Sequence, residues 1–258
     1  MASQEMEERE VRTLVFLGNH LEGQDLIKIH EGPRVEVIVG LANEEETRET
    51  IVIPYSLLSH HSKYFREARR TPTVLENDPQ IFEYFVQYIY CGSYQCTMIG
   101  TPGSELFKSF EGDHYEAWIL GDRLGAPHFQ NHVLDHLVGH HKRGFVAAGS
   151  IDIIYKNTSP GSRIRKFFAA CVRVAHGRAG FDPSTWESTG ERAGEFLSDL
   201  QRLLSIPIGE FRDPFEHTGY YYEDVMGRPS RDPLGPRRFD HLDKRNVTPD
   251  IKEERMGG

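Results

Sequence analysis

Cysteine is scarce in this 258-residue chain: only Cys91, Cys96 and Cys171. An odd, small set builds no disulfide framework. No second Cys/His pair follows Cys91 and Cys96 at zinc-finger spacing, so both read as small buried hydrophobes. No apolar run approaches the length of a membrane-spanning helix. Met1 to Glu10 carries four Glu and one Arg, with neither the positive start nor the apolar stretch of a secretory signal. The chain is therefore expected to be intracellular, in cytoplasm or nucleus. Gly-x-Gly-x-x-Gly, a Walker A lysine loop, His-Glu-x-x-His and a Gly-x-Ser-x-Gly elbow are all missing.

Positive charge is also short. The 30 Lys and Arg face 39 Asp and Glu, for a net charge of −9. Residues 211–258 hold nine basic and ten acidic residues, so nearly all the acidity belongs to residues 1–210. Such a balance disfavours nucleic-acid and anionic-membrane partners. The clusters Arg69-Arg70, Arg163-Ile164-Arg165-Lys166 and Arg237-Arg238 are too short for a nucleic-acid footprint. The second is expected on the solvated face of a helix that turns Phe167 and Phe168 inward.

Local signals divide the chain. Residues 1–25 form an acidic, weakly ordered lead. Leu26–Ile29 is short and β-rich. Val35–Gly40 is β-branched and ends at Gly, which predicts a strand, and Thr50–Ile53 returns from an acidic loop. Pro54 opens a helix in which Leu57, Leu58, Tyr64 and Phe65 share a face, continuing to Thr71-Pro72. Thr73–Leu75 is a short strand. Asp78 caps the next helix, Pro79 takes its first position, and Gly92 ends it. The polar, glycine-bearing stretch 97–113 reads as an exposed loop. Helices follow at Tyr115–Leu124, His128–Val138, from Ser150 as N-cap, Gly161–Val174 and Arg192–Leu204. From Ile208 the pattern dissolves, residues 227–258 lack the large aliphatics to offset ordering entropy, and 207–258 reads as a mostly disordered tail.

The stretch from Ile53 through Leu57, Leu58 and Ser62 to Phe65 resembles the core helix of BTB/POZ domains. Asp78-Pro79 before Phe82, and Tyr90-x-Gly92 at the helix end, are similar to that family too. Leu120–Leu124, Phe129–Asn131 and Asn157–Ser162 resemble the fungal BTB-domain proteins. The likeness spans about residues 33–176. Pro54 stands where the family commonly has His, and Ser56 near a usual acidic position. The resemblance implies an α+β fold: a small sheet flanked by helices over 26–141, a helical extension over 144–206, and the tail. It implies a non-catalytic protein-interaction module with no cofactor. Its partner would be another protein, with a homodimer or the cullin-3 ubiquitin ligase as the implied cases. Leu57, Leu58, Ser62, Phe65, Asp78, Phe82, Tyr90 and Gly92 would be structural.

Three constellations compete with that reading. His128, His132, His136 and His140 recur every four residues, with His141 adjacent, as in helical metal sites; Asp122 and Asp135 offer oxygen. With Phe129 at zero on a helical wheel, Val133, Leu137, Leu134 and Val138 fall at about 40, 80, 140 and 180°. His132 and His136 fall at about 300 and 340°, so they are expected in water, and a metal-dependent enzyme built on this stripe is the weaker alternative. Leu200, Leu203 and Leu204 match Leu-x-x-Leu-Leu, a partner-docking pattern, though packing on the chain's own core is favoured. His60-His61 read as partly buried helix residues, and Tyr220–Tyr222 as a weakly ordered aromatic patch.

Overall fold

β1 (Arg34–Gly40) puts Val35, Val37 and Val39 on one face, and all three are buried. Period-2 alternation of β-branched residues suits a strand with one face on a core. β2 (Glu49–Pro54) runs antiparallel to it, with Val35 opposite Ile53 and Glu36 opposite Val52. β3 (Thr73–Glu76) lies parallel on the other side, with Ile38 opposite Val74. The sheet order is therefore β2-β1-β3. This computed structural model describes residues 32–40, 48–68, 73–95, 105–142, 146, 148–176 and 191–223, with Thr73 and 105–110 as backbone alone. All the described residues lie in one compact unit. The expected Leu26–Ile29 strand, the tail beyond 223 and Cys96 lie outside the described residues.

Among the described residues there are eight α-helices, making an α+β architecture. The helix expected from Pro54 is two. α1 spans Tyr55–His61 and α2 spans Lys63–Glu67, with Pro54 the residue before the first turn. Ser62 adopts extended backbone between them. Its fully buried Oγ donates to the Leu124 carbonyl at 2.7 Å and accepts from the Phe65 N–H at 3.2 Å. A cap satisfied from another helix breaks a pattern whose apolar spacing alone would continue. Leu57, Leu58 and Phe65 are buried in the core.

α3 (Pro79–Cys91) follows its local signals closely. The Asp78 carboxylate accepts from the Gln80 N–H at 2.8 Å, and Gly92 closes the helix at φ 68°. Phe82 is fully buried. Tyr90 is half-buried, and burial raises its phenol pKa against the opposing pull of Arg34. Cys91 is half-buried rather than buried, with its thiol pKa raised by burial.

α4 (Glu105–Leu124) begins inside the stretch expected to be loop. Glu111, His114, Tyr115 and Trp118 recur at helical spacing and are buried, so helical burial overrides the weak propensity of Gly112. Gly125, at φ 57°, turns the chain into α5 (Pro127–His141). α6 (Ser150–Asn157), α7 (Arg163–His176) and α8 (Ala193–Leu204) complete the helical part. Ser150 is the first helical residue rather than the cap, and its hydroxyl serves Glu111 instead.

Arg165 is a second departure. It is buried rather than solvated. Its guanidinium donates to Thr158 Oγ1 at 3.0 Å, the Tyr155 carbonyl at 2.7 Å and Glu195 at 2.9 Å, and also to the Thr158 carbonyl. The Asn157–Ser162 turn is thus the receptor for a buried cation that joins α6, α7 and α8. The expected disorder from 207 does not hold as far as 223. Tyr221 is buried within a 3-10 turn (Thr218–Tyr221), and the Arg173 guanidinium stacks 4.0 Å from the Phe211 ring centre. Aromatic and cation–π contacts hold this segment.

Ser62→Ala removes a buried hydroxyl and leaves a buried carbonyl without its donor. It should destabilise the chain by about 1–3 kcal/mol, read as a lower urea midpoint at unchanged slope.

Candidate functional site

The wheel places one face of α5 correctly: Phe129, Val133, Leu134, Leu137 and Val138 are buried. It misplaces the histidines. His132 and His136 are largely shielded rather than in water, and His128 is half-buried. α5 has a second neighbour that a single-stripe wheel does not anticipate, the aromatic end of α3 and the residues after it. The His132 ring lies 5.2 Å from Tyr88 and 5.3 Å from Tyr94. His136 lies 4.5 Å from Tyr94 and stacks on His114 at 5.4 Å. The Tyr94 hydroxyl and His114 Nδ1 are 2.8 Å apart, and His132 and His136 bring their Nε2 atoms to 3.3 Å.

Burial disfavours the imidazolium form, and neighbouring imidazoles add to the effect. Burial, with His136 beside it, lowers His132 to about 3, and burial lowers His136 to about 4. His114 is held well below its ordinary value, first by burial and then by the histidines around it. These three rings are neutral at pH 7.

Among the described residues, three metal-capable donors converge at Glu111, His140 and His141, and the His128/His132/His136 stripe gathers no such set. Of the two expected oxygen donors, Asp135 accepts from the Tyr222 hydroxyl, while Asp122 is exposed. Glu111 was hidden from sequence reasoning by the loop assignment of 97–113. His140 and His141 were legible: the same wheel, carried on, puts them at about 20 and 120°, inside the apolar stripe.

The leucine pattern does not present a free face. Leu200 is buried, Leu203 is half-buried and Leu204 is 44% exposed. Leu200 follows Phe196, whose ring packs 5.5 Å from Phe168 of α7. The tyrosine run is docked at its end: the Glu223 N–H donates to Asn131 Oδ1 at 2.7 Å, and Asn131 Nδ2 donates back to the Glu223 carbonyl at 3.2 Å. His60 is exposed, and His61 is half-buried with its ring 5.9 Å from Tyr88.

An apolar surface remains on the sheet. Residues that face away from Val35, Val37 and Val39 include Ile38, Val52 and Val74, and the last two are 49% and 58% exposed. Val74 also borders a depression of about 220 Å³ lined by Tyr64, Leu75, Leu120 and Arg123 among others. Tyr64 is exposed at its rim. Arg34, Glu36 and Thr50 share this face of the sheet, and Glu76, Asn77 and Arg123 line the depression, so the apolar side chains sit among polar and charged ones. No described helix is long and apolar enough to cross a membrane.

The neutral histidines set a pH dependence. In the unfolded chain they titrate near 6.5, and in the fold His132 and His136 stay neutral down to about 3 and 4. Across that window the unfolded chain binds more protons, so stability falls as pH drops below about 6.5. Urea unfolding should show a loss of about 2–4 kcal/mol between roughly pH 7 and 5. The His132→Gln, His136→Gln double variant should flatten that slope.

No protein-family model matches the chain, and no curated protein matches it.

Proposed function

We propose that this chain is a protein-interaction module of BTB/POZ type that binds a second copy of itself through the outer face of its sheet. The observation that carries the reading is the exposure of Val52 and Val74 on either side of half-buried Ile38, with Val74 reaching the depression at Tyr64. Burying such side chains contributes about 25 cal/mol per Å² of apolar surface. β2 and β3 are the outer strands of the described sheet, and an outer strand offers backbone groups for pairing with another chain. The order of two antiparallel strands, a Leu-Leu helix stopped before Ser62, a short helix carrying Phe65, a third strand and a capped α3 supports the family likeness. Pro54, which stands where the family commonly has His, is buried at the end of β2 and takes no part in the exposed face. The module works by binding, with no chemistry of its own, and the cullin-3 adaptor role is a narrower form of the same proposal.

Light scattering over a concentration series should give a mass rising from one chain to two. Val74→Lys should weaken association at least tenfold by placing like charges at a shared face. A monomer at every concentration that also retains no protein in a cross-linked pull-down would contradict the reading. Co-purification with cullin-3 would test the adaptor form separately.

A further inference from the structure

The geometry points to a zinc site formed by Glu111, His140 and His141, where the α4–α5 pair meets the start of α6. The donor atoms of the three residues lie within 4.8 Å of one another. All three are buried, with exposures of 0, 2 and 1%. Glu111 comes from α4, and the two histidines are the last residues of α5. Zinc bonds of about 2.0–2.1 Å require the three donors to draw in around one ion.

The donor chemistry selects the metal class. Two imidazole nitrogens and one carboxylate oxygen, with a water as the fourth ligand, suit four-coordinate zinc, whereas calcium and magnesium favour all-oxygen sets. Two further groups orient these ligands, as outer-sphere partners do in metal sites. The Ser150 hydroxyl donates to Glu111 Oε1 at 2.9 Å. The Tyr115 hydroxyl lies 2.8 Å from His141 Nε2, one helical turn beyond Glu111. Phe167 of α7 packs 5.9 Å from the His141 ring, giving the site an apolar wall. A dication here would add to the Ser150 hydroxyl in balancing a carboxylate taken wholly out of water. Its role is positional: it clamps α4 to α5 and, through Ser150, to α6. The site is separate from the sheet surface, so it stands or falls independently of self-association.

The test uses the full untagged chain, stripped with a chelator, reloaded with zinc and dialysed. About one zinc per chain should remain, and its removal should lower the melting temperature. X-ray absorption of the loaded protein should show two imidazoles with oxygen ligands. Glu111→Gln should weaken zinc binding at least tenfold, while His132→Asn should leave it unchanged. Fewer than about 0.1 zinc per chain, or a first sphere of three or more imidazoles, would overturn the assignment. So would binding that survives Glu111→Gln but fails in His132→Asn. If Glu111→Gln does not fold, the wild-type stoichiometry and ligand sphere decide the matter without it.

Discussion

The approach of α4 to α5 is the constraint on which the other elements depend. A Cβ on Gly121 would lie 2.7 Å from Gln130 Cγ and 3.1 Å from the Phe129 ring, so only glycine permits the contact. The helices need that contact because each is buried on more than one side. Toward the sheet they supply Trp118, Leu120 and Phe129 to a core shared with Leu58, Phe82 and Phe85. Toward the C-terminal helices they supply Tyr115, which meets Phe168, and His141, which meets Phe167. One continuous set of buried residues runs from Val35 to Tyr221. The extension thus completes the core of the domain rather than hanging from it.

A helix pair enclosed on several sides has no wholly solvated stripe for its polar residues. That is why Glu111, His114, Gln130, His140 and His141 are all buried near this pair. Buried polar groups need partners, and several here are supplied from distant parts of the sequence. Ser150 meets Glu111, Tyr94 meets His114, and Tyr115 meets His141. The same logic places Arg165 in the interior, where four acceptors surround it. Breaking one partner of such a set leaves a charge or dipole in low dielectric, which costs more than the bond itself contributes.

What was legible in the sequence follows from range. Asp78, Pro79 and Gly92 act on their own helix, and those boundaries match the structure. The alternation in β1 acts on its own strand and does the same. Ser62 is different: its partner, the Leu124 carbonyl, is 62 residues away, so the break between α1 and α2 has no local signature beyond a serine. Arg165 looked solvated because its neighbours Phe167 and Phe168 define an inward face. Its acceptors, however, come from a turn and from α8. The start of α4 was lost to polar residues and Gly112, and with it Glu111. The segment 207–223 shows no periodic pattern, yet Phe211, Tyr221 and Tyr222 are held by Arg173, Phe167 and Asp135. Glu111, Arg165, His132 and His136 each sit between elements, where one-dimensional patterning reads them as solvated.

The central claim is that the sheet half and the C-terminal helices fold as one cooperative unit around α4 and α5. Hydrogen exchange across a urea series, resolved by peptide, tests it most directly. A shared core predicts that amides of α3 and of α7 and α8 lose protection together, at the global unfolding midpoint. Opening of α7 and α8 at clearly lower urea, while α3 and β1 stay protected, would contradict it.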